Sequence, residues 1–207
     1  MSEKIIIFTD GSSTVFKDKN NIKYGGIGVY CPKYTDCNIK SSFKGNVTNQ
    51  KMELLACIEA IKRIYQYMVN NFECKLWSLV IYTDSMYVIN TITEYCPKWI
   101  LYNWHRCVNK KRHKISNLDL VKELYELSVT LPISYKHVKA HTKQPTKNTE
   151  EYDIWYGNKM ADLFSKEAMK TIKNNKESLS IYIPNDNELS NSELSDGESS
   201  DGESNVN

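Results

Sequence analysis

Lys4-Ile5-Ile6-Ile7-Phe8-Thr9-Asp10-Gly11-Ser12 is the stretch on which the fold turns. Residues 4–9 form an apolar, β-branched run that reads as a strand, and a carboxylate follows it directly. The arrangement recurs in Leu79-Val80-Ile81-Tyr82-Thr83-Asp84-Ser85, where a strand over 76–83 again ends at an aspartate. Between these lie a strand over 22–31, centred on Tyr24-Gly25-Gly26-Ile27-Gly28-Val29-Tyr30, and another over about 37–44. Their short polar connections favour antiparallel pairing. Leu54, Ile58, Ile61, Tyr65 and Met68 step by 4, 3, 4 and 3, which predicts a helix over 49–70. Thr48 is its N-cap, so Glu53 falls early in that helix. Beyond Asp84 the pattern gives a helix from Ser85 to about Glu94, helical stretches near 99–105 and 117–129, a strand at 133–139 and a last helix at 157–172. A three-strand meander followed by alternating elements indicates an α/β fold with a mixed sheet.

Strand ends and first helical turns can bring distant carboxylates together. Asp10, Glu53 and Asp84 stand in such places, and Asp162 lies in Gly157-Asn158-Lys159-Met160-Ala161-Asp162. Converging carboxylates repel one another and stay ionised only with divalent cations among them. Hard oxygen ligands favour Mg²⁺, with Mn²⁺ as a substitute. The six cysteines, Cys31, Cys37, Cys57, Cys74, Cys96 and Cys107, form no C-x-x-C pair, which argues against zinc. Several fall in apolar patterns, as reduced thiols of an intracellular protein do.

In this order the motifs resemble those of type 1 ribonuclease H, enzymes that cut the RNA strand of RNA–DNA hybrids. Thr9-Asp10-Gly11-Ser12, Thr48-Asn49-Gln50-Lys51-Met52-Glu53 and Thr83-Asp84-Ser85 match its first three motifs. His137-Val138-Lys139-Ala140-His141 is similar to its mobile histidine loop, and Gly157 to Asp162 to its final motif. The resemblance covers roughly residues 3 to 172 and implies a ribonuclease H-like fold, a five-stranded mixed sheet in the order β-β-β-α-β-α-β-α. It implies that Asp10, Glu53, Asp84 and Asp162 hold two Mg²⁺ ions. Such ions, about 3.5–4 Å apart, activate water and steady the leaving oxygen, giving 3′-hydroxyl and 5′-phosphate ends. Asp162 is expected to open the second turn of the last helix, where its backbone can adjust. The imidazole of His141 suits proton transfer, and the connection from Lys143 to Tyr156 is longer than the family's usual one.

The resemblance also implies contacts to substrate. Asn49 and Gln50 carry amides that donate and accept, as reading 2′-hydroxyls in a wide minor groove requires. Gly11 and Ser12 would lie beside the scissile phosphate, and Thr48 and Asn117 at a phosphate pocket for the DNA strand. From Lys98 to Lys114 there is no acid, and Trp99, Trp104, Lys110, Lys111 and Arg112 resemble a basic protrusion that grips the DNA strand.

Charge is divided along the chain. Residues 174–207 carry eight acids against Lys176 alone, a net −7, while residues 1–173 carry 26 basic and 17 acidic residues, a net +9. A basic body fits a polyanion partner. The acidic end repeats Ser195-Asp196-Gly197-Glu198-Ser199 as Ser200-Asp201-Gly202-Glu203-Ser204, and its composition cannot repay the entropy of ordering. The expected organisation is a catalytic domain over 1–173 and a disordered tail over 174–207. No stretch reaches the ~18 apolar residues of a membrane span, and no signal-peptide core precedes the first strand, so an intracellular protein is expected. The resemblance implies RNA–DNA hybrid as its partner, and a monomer is expected. Two other readings use the same residues: a DNA-cutting enzyme of integrase or resolvase type, and a non-catalytic hybrid-binding module. Asn49-Gln50 and His141 argue against the first, the intact tetrad against the second.

Overall fold

The structure, a computed structural model, describes residues 3–15, 22–71, 76–140, 142–174 and 181–183. Strands β1 (Glu3–Val15), β2 (Lys23–Tyr30) and β3 (Ile39–Gly45) precede helix α1 (Asn49–Asn71) and strand β4 (Trp77–Thr83). Helices α2 (Met86–Asn90) and α3 (Cys96–Leu101), a hairpin of β5 (Arg106–Val108) and β6 (Lys111–His113), helix α4 (Leu118–Thr130) and β7 (Ile133–His137) follow. The described chain closes with α5 (Glu150–Asn174) and β8 (Ile181–Ile183). The sheet runs β7-β4-β1-β2-β3-β8, with β2 antiparallel to both β1 and β3 and the other pairs parallel. The expected five-stranded mixed sheet is therefore present, and β8 extends it by one short strand.

Alternation along β1 assigns its faces. Ile5 and Ile7 are fully buried in the larger core, where Leu54, Ile58 and Ile61 of α1 and Val121 and Leu124 of α4 meet the sheet. Ile6 and Phe8 point to the other face, where Phe8 packs with Val80, Tyr82 and Ala161 of α5. Each fully buried isoleucine, leucine or methionine contributes roughly 1.5–3 kcal/mol relative to an exposed one, so twelve such large side chains make this layer the anchor of the sheet. Tyr65, counted on the apolar stripe, is 47% exposed; Ile64, at 0%, takes that place because the buried face is rotated by one residue.

Several boundaries differ from expectation, each for a physical reason. β1 does not stop at Thr9: Asp10, Gly11 and Ser12 pair with Gly28, Ile27 and Gly26, so β2 carries the strand on to Val15. The ladder to β4 does stop, at Thr9 opposite Thr83. The helix after Asp84 continues through a π turn, Thr91–Tyr95, into α3 instead of breaking into separate helices. Pro97 lies in the first turn of α3, and the widened turn before it accommodates a residue with no N–H to donate. Residues 102–105 are not helical. Asn103 and Trp104 adopt left-handed backbone (φ 52° and 56°), and the hairpin that follows turns on Asn109 and Lys110, both also left-handed.

The last helix begins at Glu150, not at 157, so part of the expected long connection is helix. Of residues 174–207, read as disordered, Asn174 ends α5 and Ile181–Ile183 pairs in parallel with Phe43–Gly45; the remainder lies outside the described residues.

Candidate active site

β1 and β4 run side by side in parallel and their ladder ends at the Thr9–Thr83 pair, so the next residues, Asp10 within β1 and Asp84 just past β4, stand at the same level where the two strands part. Glu53 comes from above them. Thr48 Oγ1 accepts the backbone N–H of Lys51 at 3.2 Å, capping α1 as expected and fixing where its first turn begins. That turn packs against Gly11 so closely that a Cβ there would stand 2.3 Å from the backbone of Met52 and Glu53. Only glycine permits the approach. One turn further on, the thiol of Cys57 and the hydroxyl of Thr9 lie 3.3 Å apart in the core, a second tie between α1 and β1.

One carboxylate oxygen from each of Asp10, Glu53 and Asp84 lies within 4.8 Å of the other two. Asp10 is 7% exposed and Glu53 5%. Burial, and then the charges of Asp84 and Asp162, raise the Asp10 carboxyl from 3.8 to about 6, although a hydrogen bond from the Ser165 hydroxyl opposes the shift. Burial, and then the charges of Asp10 and Asp84, raise Glu53 from 4.5 to about 9 against a hydrogen bond from the Gly11 backbone. Glu53 Oε2 is buried with no hydrogen-bond partner. A buried, unpartnered carboxylate oxygen beside two further aspartates is a donor set that suits a hard divalent cation. The three acids therefore fit a metal by crowding, burial and ligand type together.

Asp162 is not part of that trio. It lies in the interior of α5, twelve residues after the helix starts, not in its second turn, so the expected adjustable helix end is not where it sits. Its carboxylate pairs with Lys166 at 2.6 Å. It nevertheless faces the same opening: Asp84 and Asp162 line a pocket of about 240 Å³ with Lys139, Ala140, Thr142, Trp155, Asn158 and Lys159. The Asn158 Oδ1 atom is buried without a partner. α5 comes this close because β2 presents glycine: a Cβ on Gly28 would lie 2.1 Å from the Ala161 carbonyl. Ser165, one turn beyond Asp162, is the residue that the motifs did not reveal. Its helical spacing from Asp162 was the available signal.

Of the remaining expected site residues, Asn49 and Gln50 are exposed in the first turn of α1. Ser12 Oγ is buried without a partner, and Asn117 stands in left-handed backbone (φ 56°) just before α4, its side chain bonded to Tyr87 and not to the helix end. Trp99 and Trp104 pack against the larger core, with Trp104 edge-on to Tyr125 at 6.2 Å and Lys122 over its ring. Lys110, Lys111 and Arg112 stand exposed on the hairpin. His137 belongs to β7, whose expected extent was 133–139 and which ends at this residue, and His141 lies outside the described residues. No helix among the described residues is long and apolar enough to cross a membrane.

Comparison with known proteins shows the family to which the chain belongs. Ribonuclease H of Caldicellulosiruptor saccharolyticus is 30% identical over 150 residues, covering 70% of this chain and 90% of that protein. A probable ribonuclease H of Acanthamoeba polyphaga mimivirus is 32% identical over 154 residues, covering 74% of this chain and 62% of the viral one. The solution structure of the PFV RNase H domain superposes with a TM-score of 0.58 at 22% identity, over 83% of this chain and 97% of that domain, a likeness of fold. Residues 2–170 match the RNase H family, and with the acidic trio at the end of the parallel ladder the chain belongs to that family and is a nuclease.

Proposed function

We propose that this protein is an endonuclease that hydrolyses the RNA strand of RNA–DNA hybrids with two divalent cations, Mg²⁺ by preference and Mn²⁺ as a substitute, leaving 3′-hydroxyl and 5′-phosphate ends. The observation that carries the reading is the meeting of Asp10, Glu53 and Asp84 within 4.8 Å, with a Glu53 oxygen left unpartnered. Asp10, Glu53 and Asp84 would hold the cations, with Asp162 completing the set from α5. When bound, divalent cations supply positive charge that activates water and stabilises charge on the phosphoryl oxygens. Ser165 keeps the Asp10 carboxylate oriented, and burial of Asp10 and Glu53 excludes competing water from their oxygens.

Substrate choice follows from groups around that centre. Asn49 and Gln50, exposed beside Glu53, would read 2′-hydroxyls of the RNA strand. Gly11 and Ser12 lie next to Asp10 for the scissile phosphate, while Thr48 and Asn117 would take a DNA-strand phosphate. Lys110, Lys111 and Arg112, with Trp99 and Trp104 at the base of the hairpin, would grip the DNA strand. His141 would carry a proton to or from the reacting oxygens. The catalytic unit is assigned to residues 1–173 and the acidic tail to 174–207, with β8 an attachment of that tail to the sheet. A labelled RNA–DNA hybrid, incubated beside matched RNA–RNA and DNA–DNA duplexes with Mg²⁺ or EDTA, tests the reading. Only the hybrid with Mg²⁺ should be cut, and in its RNA strand. Cleavage of DNA–DNA, or binding without cleavage, would favour the integrase-like or the non-catalytic reading.

A further inference from the structure

Asp162, the fourth acid of the expected set, has both its oxygens engaged. Lys166 Nζ stands 2.6 Å from Asp162 Oδ1 and 2.9 Å from Oδ2. Glu53, by contrast, keeps a buried oxygen with no partner, and the cluster within 4.8 Å is made by Asp10, Glu53 and Asp84 without Asp162. Acid and lysine are four residues apart on α5 with the acid N-terminal, the order in which such pairs meet best along a helix. Both side chains are partly open to solvent, so the pair can separate without leaving a buried charge behind.

The same turn of α5 also reaches Asp10. Ser165, next to Lys166, donates its hydroxyl to Asp10, and its oxygen lies 3.0 Å from the Asp162 carbonyl oxygen. The backbone of this turn is seated on β2, where Gly28 meets the Ala161 carbonyl, and Ser165 ties it to β1. Asp162 is therefore recruited by movement of its own side chain, and that movement requires Lys166 to give way. A divalent cation at Asp162 would otherwise stand beside the Lys166 ammonium, and like charges in close approach repel.

We infer that Lys166 is a positioning residue that acts through Asp162: it holds this carboxylate in reserve, so that an ion drawing on Asp162 binds more weakly than one held by Asp10, Glu53 and Asp84. The inference rests on the two-cation reading given under Proposed function, and it gives that reading an order. The trio is ready-made and fills first. Asp162 is enlisted second, when Lys166 gives way. Lys166 thereby helps to set the cation concentration at which the site is complete.

The test is a Mn²⁺ titration of the full chain without nucleic acid, with free Mn²⁺ followed by electron paramagnetic resonance. Wild type is compared with Lys166→Gln, Lys166→Arg, Asp162→Asn and the Asp162→Asn/Lys166→Gln pair, alongside melting temperatures of each. Lys166→Gln should tighten the weaker of two ions by roughly two- to fivefold, the size of an exposed ion pair. The tighter ion should change less, and Tm should stay near wild type. Lys166→Arg keeps the pair and should return the wild-type affinity. In the Asp162→Asn background Lys166→Gln should change nothing, because the group it competes for is gone. An unchanged weaker ion in Lys166→Gln overturns the inference, as does a second ion absent from wild type and variant alike. Equal tightening in the Asp162→Asn background also overturns it, since Lys166 would then act as a distant charge and not as a competitor. A wild type that binds no Mn²⁺ fails the metal reading itself, whereas Mn²⁺ bound with affinities indifferent to Lys166 fails this inference alone.

Discussion

Asp10→Asn should make the metal-free protein more stable while abolishing cleavage. In an unfolded chain an aspartate titrates near 3.8; folded Asp10 titrates at about 6, because burial and the charges of Asp84 and Asp162 penalise its anion. Between those pH values the folded chain holds a proton that the unfolded chain has released, so rising pH favours unfolding. The stability is complete below the unfolded value and is lost as pH passes through the folded one. A difference of about two pKa units corresponds to about 3 kcal/mol forfeited above pH 6. Glu53, raised from 4.5 to about 9 by burial and by the same neighbours, extends the loss toward alkaline pH. Asparagine has nearly the volume of aspartate, can still accept the Ser165 hydroxyl, and removes one of the charges that burden Glu53.

In EDTA at pH 8 the variant should therefore melt higher than wild type, by roughly 6–12 °C for about 3 kcal/mol in a domain of this size. The gap should close as pH falls toward 4. Mg²⁺ should raise the melting temperature of the wild type and much less that of the variant, since binding to the folded state alone stabilises it. Melting curves followed by circular dichroism across pH, with and without Mg²⁺, provide the measurement. Equal or lower stability of Asp10→Asn at pH 8 without metal would refute the argument, for it would mean that the three carboxylates do not crowd one another in solution.

His141→Ala should lower turnover by roughly 10²-fold, the range for one acid–base group, with Mg²⁺ dependence broadly preserved, as single-turnover cleavage would reveal. A loss as deep as that of Asp10→Asn would make it a structural or metal-binding residue instead. Replacing Lys110, Lys111 and Arg112 together by Ala should flatten the dependence of log affinity on log salt by about 0.9 per lost phosphate contact, measured by hybrid titration. An unchanged slope would place the grip elsewhere on the basic body. Truncation after Ile183 removes seven acids, Asp186 to Glu203, and should tighten hybrid binding at low salt with little effect on melting; identical affinities would leave the tail passive.

What could be read from the chain was whatever local sequence must encode. A carboxylate that directly follows an apolar strand run needs only that run and the next residue to be seen, so Asp10 and Asp84 were legible, although β1 itself continues past Asp10. Glu53 was legible because Thr48 marks the helix start and the 4-3 stepping marks its face. The start of α5 had a signal of the same kind, Thr149 followed by Glu150, Glu151 and Asp153 in the first turn, acids where a helix N-terminus favours them. The expected start, Gly157, lies seven residues inside the helix. In the structure that glycine leaves room for the Phe8 ring, whose atoms would lie 2.2–2.4 Å from a Cβ, so it serves packing and not termination.

The hairpin was hidden for a different reason. Its residues are all exposed, so no alternation of burial marks its strands, and its turn uses Asn109-Lys110 in left-handed backbone without a glycine to announce it. The Asp10–Ser165 bond was hidden because it spans 155 positions and exists only once α5 crosses the sheet over Gly28. That crossing links fold to chemistry. The small residues of β2 let α5 sit low, and its low position delivers Ser165 to Asp10 and Asp162 to the rim of the pocket. A larger residue at Gly28 would have to push α5 away from the sheet, drawing Ser165 and Asp162 from Asp10 together. Gly28→Ala should therefore impair cleavage as well as stability, although residue 28 carries no chemistry of its own.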